Sequence, residues 1–295
     1  MAPTDSVKFC NLRREFFQYA LKQEIYLLPA RQRSGGIREI KRNRITMRNK
    51  NVHRTIVTAA LAVLALAASP AVLAQPWASF DDNTRYLALG DSLSAGYEAK
   101  PVTQGFVYQL YQNGAIDGLN NLLFCNQAVP GATSADVLHY QIPQVHLFFA
   151  DTGKSYRKVV TLTVGGNDLL ALLGPNGIDP SQIPGVLTRY GSNLGGILAS
   201  LASSFPDVKI YVGNAYDPKL PLPGEELLVA ALNQVTANVA GLFPNNVVLV
   251  DVFTAFQGRS GLLLIEKKGA GFNIHPTNAG YQVMTKAFSD SIAGY

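Results

Sequence analysis

The chain has 295 residues, which is enough for one large domain or two small ones. Its residues are 47% hydrophobic and 15% charged, so it can bury a large core, and this excludes a disordered chain. The net charge of +5 originates in residues 1–54, which hold thirteen basic and four acidic residues; from Gln75 onward there are twelve basic and sixteen acidic ones. The basic excess is therefore confined to one end, and we do not interpret it as a nucleic-acid-binding surface.

The segment 47–74 has the layout of a secretory signal peptide. A basic stretch, MRNKNVHR, precedes the uncharged apolar run TIVTAALAVLALAASP, and the small residues AVLA follow. An N-terminal membrane anchor is the alternative, but the run is rich in alanine and interrupted by Pro70, which favours cleavage. We predict that residues 1–46 are an over-extended N-terminus, that Met47 is the true start, and that residues 75–295 form a secreted or periplasmic domain.

From Tyr86 onward, short β-rich runs alternate with stretches that can form helices. The strands are predicted at 86–90, 122–129, 157–166, 208–216 and 245–253, and several are almost continuously apolar, as parallel strands covered on both faces should be. The helices are predicted at about 104–116, 134–146, 186–205, 225–242 and 276–292. The alternation predicts a single α/β domain with a flavodoxin-like, three-layer architecture and a central parallel sheet of about five strands. Two loops rich in proline and glycine, 174–185 and 217–226, are expected to rim a site.

Polar motifs follow three of these strands, where ligands bind in such sheets. The first strand ends in GDSLSAGY, in which Gly90 permits a sharp turn and Ser92 lies at the start of a helix, with its amide among the free N–H groups. Gly131 bares a backbone N–H in the turn of NQAVPGATS, and TVGGNDLL offers the Asn167 amide in the same crevice. Taken singly, each motif is better explained as a helix cap or a turn.

A histidine precedes the last predicted helix, in FNIHPTNAGY. Pro276 suits the first turn of a helix and keeps the preceding residue out of the helical conformation, so His275 should stand on the loop before that helix. An isolated histidine is usually a surface or core residue. Here, however, it is the last of four motifs that can reach one edge of the sheet.

The order of the four motifs resembles the GDSL, or SGNH, hydrolase family, from about Tyr86 to the C-terminus. GDSLSAGY looks like the first block of that family, GATS like the second, GGND like the third and HPTNAGY like the last. The resemblance implies a serine esterase or lipase in which Ser92 is the nucleophile and His275 is the general base and then the acid. It also implies an oxyanion hole formed by Ser92 N–H, Gly131 N–H and the Asn167 side chain. The chemistry agrees, because a serine hydroxyl is a poor nucleophile until a nearby base takes its proton.

The sequence departs from the family at Phe272, where the last block usually has an aspartate three residues before the histidine. Three interpretations stay open. In the first, a backbone carbonyl near Phe272 accepts a hydrogen bond from the Nδ1–H of His275, which gives a Ser–His dyad. In the second, a carboxylate such as Asp251 or Asp168 reaches the ring. In the third, the protein is a weak or non-catalytic relative. We favour the first; Asn273 could also orient the ring, but it would stabilise an imidazolium less than a carboxylate does.

The sequence therefore predicts a hydrolase that cleaves carboxylic esters, either lipids or short-to-medium acyl esters. A carbohydrate O-acetyl esterase and a non-catalytic ligand-binding relative are the alternatives. We expect no cofactor and no metal, since His139, His146 and His275 lack the spacing of metal ligands. We expect a small-molecule or lipid ester as the partner, no nucleic acid, membrane contact only through the substrate, and a monomer.

Overall fold

A computed structural model describes residues 83–117, 122–149, 155–174, 177–219, 224–264, 266–268 and 271–294. Its strands are, in chain order, β1 (Thr84–Gly90), β2 (Leu122–Asn126), β3 (Arg157–Thr163), β4 (Leu173–Gly174), β5 (Gly177–Ile178), β6 (Lys209–Gly213), β7 (Val247–Val250), β8 (Glu266–Lys268) and β9 (Gly271–Asn273). Five of them form a parallel sheet in the order β2-β1-β3-β6-β7, which is the flavodoxin-like order. The predicted fold class is confirmed. The predicted signal segment 47–74 and the extension 1–46 lie outside the described residues.

The first strand shows why this sheet is covered on both faces. All seven residues of β1 are buried. Successive side chains of a strand point to opposite faces, so Leu87 and Leu89 enter one hydrophobic cluster while Tyr86 and Ala88 enter the other. A strand in this position requires an unbroken apolar run, and YLALG supplies it.

The helices form the two outer layers. In chain order they are α1 (Ser92–Ala95), α2 (Phe106–Gln112), α3 (Ser134–Asp136), α4 (Ile142–Phe148), α5 (Gly166–Leu170), α6 (Ile183–Ser204), α7 (Glu225–Ala240), α8 (Val252–Phe256) and α9 (Asn278–Ala293). Helices α4, α6 and α7 contribute to the cluster that contains Leu87, and α2, α8 and α9 to the cluster that contains Tyr86. In the part of the chain that is described, no helix is both long and apolar enough to cross a membrane.

The helix predicted at 134–146 is divided into two. Between α3 and α4, Val137–Gln141 forms a π-helical turn, and Pro143, which has no N–H to donate to the preceding turn, stands at the start of α4. Gln141 at the end of this turn is buried, and its side-chain amide pairs with the backbone of Gly90. The Gly90 N–H donates to Oε1 at 2.8 Å, and Nε2 donates to the Gly90 carbonyl at 2.8 Å. A side chain thus fixes the end of β1, two residues before Ser92.

The other strand ends also differ slightly from the sequence prediction. The strand predicted at 122–129 ends earlier, at Asn126. Gln127 N–H and Val129 N–H nevertheless donate to the carbonyls of Ala88 and Gly90, at 2.9 and 3.0 Å. The extended run therefore continues beside β1 up to the turn that contains Gly131. The two hairpins, β4 with β5 and β8 with β9, lie outside the main sheet and were not predicted.

Candidate active site

Three of the sequence motifs meet at the carboxyl edge of the sheet. Ser92 begins α1 just beyond β1, Asn167 lies in α5 just beyond β3, and β9 leads into the loop that carries His275. Strands β1 and β3 are neighbours, and β2 lies on the other side of β1. The strand order therefore reverses at β1, and a crevice at such a reversal is where ligands bind in this class of sheet.

The turn between β1 and α1 depends on glycine. Gly90 has φ +119, and a Cβ atom at this position would lie 2.0 Å from the carbonyl oxygen of Thr163. Asp91 then caps α1, because its carboxylate accepts the Leu93 N–H at 3.0 Å. Ser92 is consequently the first helical residue rather than the cap, and its hydroxyl stays available to a partner outside the helix.

The carboxyl group of Asp91 is buried directly behind this turn. Its Oδ1 also accepts the hydroxyl of Thr163 at 2.8 Å, and Thr163 in turn shares a hydrogen bond with the Ser94 hydroxyl at 2.8 Å. Burial raises the pKa of Asp91 to about 7, although the hydrogen bonds from Thr163 and Leu93 oppose the rise. A carboxyl group one residue from Ser92 therefore changes its charge near neutral pH.

His275 joins Ser92 on one side of its ring and Asn273 on the other. Nε2 lies 2.9 Å from the Ser92 hydroxyl, and Nδ1 lies 2.8 Å from Asn273 Oδ1. The same Oδ1 accepts the backbone N–H of His275 at 3.2 Å, and a backbone N–H can only donate, so this atom is the amide oxygen. In the neutral ring Nδ1 must then carry the proton, and Nε2 is left to accept the proton of the Ser92 hydroxyl.

Two tyrosines that the sequence did not single out support the histidine loop. The Tyr216 hydroxyl donates to the carbonyl of Ile274 at 2.7 Å, and the Tyr97 ring lies edge-on to the His275 ring at 4.7 Å between centroids. A backbone bond from Leu264 N–H to the His275 carbonyl, 2.9 Å, adds a further anchor. Tyr97 belongs to the first motif and could have been suspected. Nothing near Tyr216 in the sequence indicates a contact with a residue 58 positions away.

Among the candidates for the missing acid, Asn273 is the one with a described hydrogen bond to the ring. The carboxylate of Asp251 caps α8 through the Thr254 N–H at 3.0 Å and accepts the Asn214 side chain at 3.0 Å. Asp168 accepts the backbone N–H and the hydroxyl of Ser134, at 2.9 and 2.6 Å. These two carboxylates serve local structure, and a neutral amide holds the imidazole.

Two of the three candidate oxyanion donors, Gly131 and Asn167, lie on motifs that a hydrogen bond joins to each other. One N–H of the Asn167 side chain donates to the Ala132 carbonyl at 2.9 Å, which leaves the second N–H of the same amide for another acceptor. Gly131 adopts φ +87 in an exposed turn, where a Cβ atom would meet nothing within 4 Å. Ser92 and Asn167 both line the cavity at the site, whereas Gly131 does not.

A cavity of about 170 Å³ adjoins Ser92 and His275. Most of its lining is apolar and comes from the ends of β3 and β6, from α5 and α7, and from the β4–β5 hairpin. Ile178 from the first proline- and glycine-rich loop and Pro218 from the second contribute to the lining, so both loops border the site as predicted. Within the described residues, no group of three or more His, Cys, Asp or Glu side chains is placed to hold a metal ion.

Comparisons with known proteins agree with this architecture. The GDSL-like Lipase/Acylhydrolase family matches residues 88–283, which is well over half of the chain, and the chain therefore belongs to this family. Among curated proteins, none matches the sequence.

Solved structures of similar fold include two lipases and a phospholipase. The lipase Lip_vut3 from a goat rumen metagenome is 22% identical, with a TM-score of 0.55 over 70% of this chain and 97% of that one. The extracellular lipase of Streptomyces rimosus is 22% identical, with a TM-score of 0.54 over 70% and 99%. Phospholipase A1 of Streptomyces albidoflavus is 18% identical, with a TM-score of 0.54 over 71% and 99%. At these identities the likeness establishes the fold.

Proposed function

We propose that the protein is a serine hydrolase that cleaves carboxylic esters through an acyl-enzyme on Ser92. The observation that carries the proposal is the chain of hydrogen bonds from Ser92 through His275 to Asn273. It sets the tautomer in which Nε2 can take the serine proton, and this is the task of the third residue in a serine triad. Membership of an acylhydrolase family gives the same class of reaction.

In the first half of the reaction, the Ser92 oxygen attacks the ester carbonyl carbon while His275 Nε2 takes the hydroxyl proton. The tetrahedral oxyanion is stabilised by donors at the sheet edge, for which we propose the N–H groups of Ser92 and Gly131 and the second N–H of the Asn167 amide. The imidazolium then returns its proton to the leaving alcohol, and the acyl group remains on Ser92. In the second half, His275 deprotonates a water molecule that releases the acid and regenerates Ser92.

The test is a fluorophosphonate probe applied to the purified full chain, with the adduct mapped by mass spectrometry. We expect phosphonylation at Ser92, and we expect Ser92→Ala and His275→Ala to remove it together with the hydrolysis of p-nitrophenyl esters. The matched control is Ser203→Ala, which removes an exposed serine hydroxyl that bonds only locally, to the Ser200 carbonyl. A folded protein without an adduct would instead support the non-catalytic, ligand-binding alternative.

Export is a separate part of the proposal. The layout of residues 47–74 supports it, as does the similar lipase of Streptomyces rimosus, which is described as extracellular. N-terminal sequencing of the mature product from culture medium or periplasm should begin at or near Gln75. A product that retained residues 1–46 would contradict the assignment of the start at Met47.

A further inference from the structure

The cavity beside Ser92 has an apolar body and a polar end. Its polar lining residues include Ser92, Asn167 and His275, which lie at the proposed reaction centre. The rest of the wall is largely made of leucine, valine, isoleucine, alanine and tyrosine side chains. An ester whose carbonyl lay at Ser92 could place a hydrocarbon group against this wall, and the removal of that group from water would be favourable.

The exposure of the lining residues shows which end of the cavity is closed. Leu170 and Leu173 are 36% and 37% exposed and form part of the rim, whereas Leu232 is 1% exposed and belongs to the hydrophobic core. Val229, one turn earlier on α7, is 5% exposed. Leu232 is the least exposed apolar side chain of the lining, and we therefore assign it to the inner end of the cavity.

We propose that this cavity binds the acyl chain of the substrate, that it accommodates about six carbons, and that Leu232 sets this limit. The inference rests on the proposed ester hydrolysis at Ser92 and adds the chemical class of the acyl group. The size follows from the volume, because an apolar cavity of about 150 Å³ holds one benzene ring, that is, six carbon atoms. The cavity of about 170 Å³ is of that size. An acetyl group would leave most of the apolar wall facing water.

The charges at the cavity define the acyl group further. Among the residues that the structure describes, no lysine or arginine lines the cavity, and the ionisable carboxyl groups in its lining are those of Asp91 and Glu225. An acyl chain that ended in a carboxylate or a phosphate would meet no cation there and would lose its hydration. The cavity thus fits a neutral aliphatic chain, such as a hexanoyl group, better than an acetyl group or a dicarboxylic acid.

The experiment is the chain-length profile of the purified full chain on p-nitrophenyl esters from acetate to dodecanoate. Each methylene buried up to about six carbons should raise kcat/KM by up to about fourfold, which makes hexanoate up to about 200-fold better than acetate. Beyond that length the profile should level off or fall. A profile that is flat, or one that peaks at acetate, would overturn the acyl-chain assignment while leaving ester hydrolysis intact.

Variants on α7 test the role of Leu232. Leu232→Ala should move the maximum two to three carbons towards longer chains, because it removes three side-chain carbons from the inner end. If that variant does not fold, Leu228→Trp, which fills the cavity from a half-buried position, should move the maximum towards shorter chains. The matched control is Val235→Ala on the same helix, since Val235 packs towards Gly191 and does not line the cavity.

An unchanged maximum in the folded cavity variants, or an equal shift in Val235→Ala, would overturn the assignment. Failure of the proposed function has a different signature. In that case the unmodified protein hydrolyses no ester of any length and does not react with the fluorophosphonate.

Discussion

The amide that holds His275 offers the sharpest test of the site. Asn273→Ala removes the Oδ1 atom that lies 2.8 Å from His275 Nδ1, in a position where Asn273 is only 5% exposed. When the ring becomes an imidazolium, that hydrogen bond has a charged donor and is worth about 1.5–3 kcal/mol. Its loss should therefore lower kcat by about 10- to 100-fold. KM should change little, because Asn273 does not line the cavity.

The companion variant Asn273→Asp replaces the amide by a carboxylate of the same shape. Oδ1 keeps both of its hydrogen bonds, and the Asn273 Nδ2 atom that becomes an oxygen has no hydrogen-bond partner in the described structure. A carboxylate would stabilise the imidazolium more strongly than a neutral acceptor does, because both partners of the hydrogen bond would then be charged. We expect kcat up to about tenfold above that of the unmodified protein, at pH values where the new carboxyl group is ionised.

Both variants should be assayed on p-nitrophenyl hexanoate between pH 5 and 9, with thermal unfolding recorded for each. The control is Asn246→Ala, which likewise removes an asparagine amide that makes two hydrogen bonds: its Nδ2 atom donates to the carbonyls of Pro206 and Val208. Asn246 lies just before β7, away from the carboxyl edge of the sheet. An unchanged kcat in folded Asn273→Ala would refute the proposal that this amide orients the ring.

Three further predictions concern groups around the pair. Asn167→Ala should lower kcat by about two to three orders of magnitude in steady-state assays, if its free N–H serves the oxyanion. Tyr216→Phe removes only the hydroxyl that holds the Ile274 carbonyl, a net loss of about 1 kcal/mol, and should lower kcat by about fivefold. Asp91 should make the folded protein less stable as the pH rises from about 4 to above 7, and Asp91→Asn should flatten this dependence in thermal unfolding curves.

The sign of the Asp91 effect follows from its raised pKa. The ordinary value is 3.8 and the folded value is about 7, so between these values the folded state binds more protons than the unfolded state. The stability contribution is therefore complete below about pH 4 and is lost as the pH rises through about 7. Equal slopes of melting temperature against pH for the Asp91→Asn variant and the unmodified protein would contradict this assignment. A kcat equal to that of the unmodified protein would contradict the prediction for Asn167→Ala or for Tyr216→Phe.

Much of the fold could be predicted because its strands and helices are encoded locally. The run YLALG identifies a strand covered on both faces, and the alternation of such runs with helical stretches leaves few topologies other than the one observed. The division of the helix at 134–146 was missed, although Pro143 was visible in the sequence. A proline in a helical stretch can lie in the first turn of one helix or mark the start of a second one. The structure shows the second case, in which Gln141, just before the second helix, forms hydrogen bonds with the backbone of Gly90.

The sequence by itself determined which side chains we propose for the chemistry, because the motifs around Ser92, Asn167 and His275 stand in a fixed order at strand ends. It could not determine what holds the imidazole. That answer depends on side-chain directions in a loop whose serine partner lies 183 residues away in the chain. Only the packing of β9 and its loop against the sheet edge turns Asn273 towards Nδ1 and leaves Asp251 to cap α8. The cavity beneath Leu170 likewise exists only after α5, α7 and the β4–β5 hairpin have come together, since no single segment encloses it.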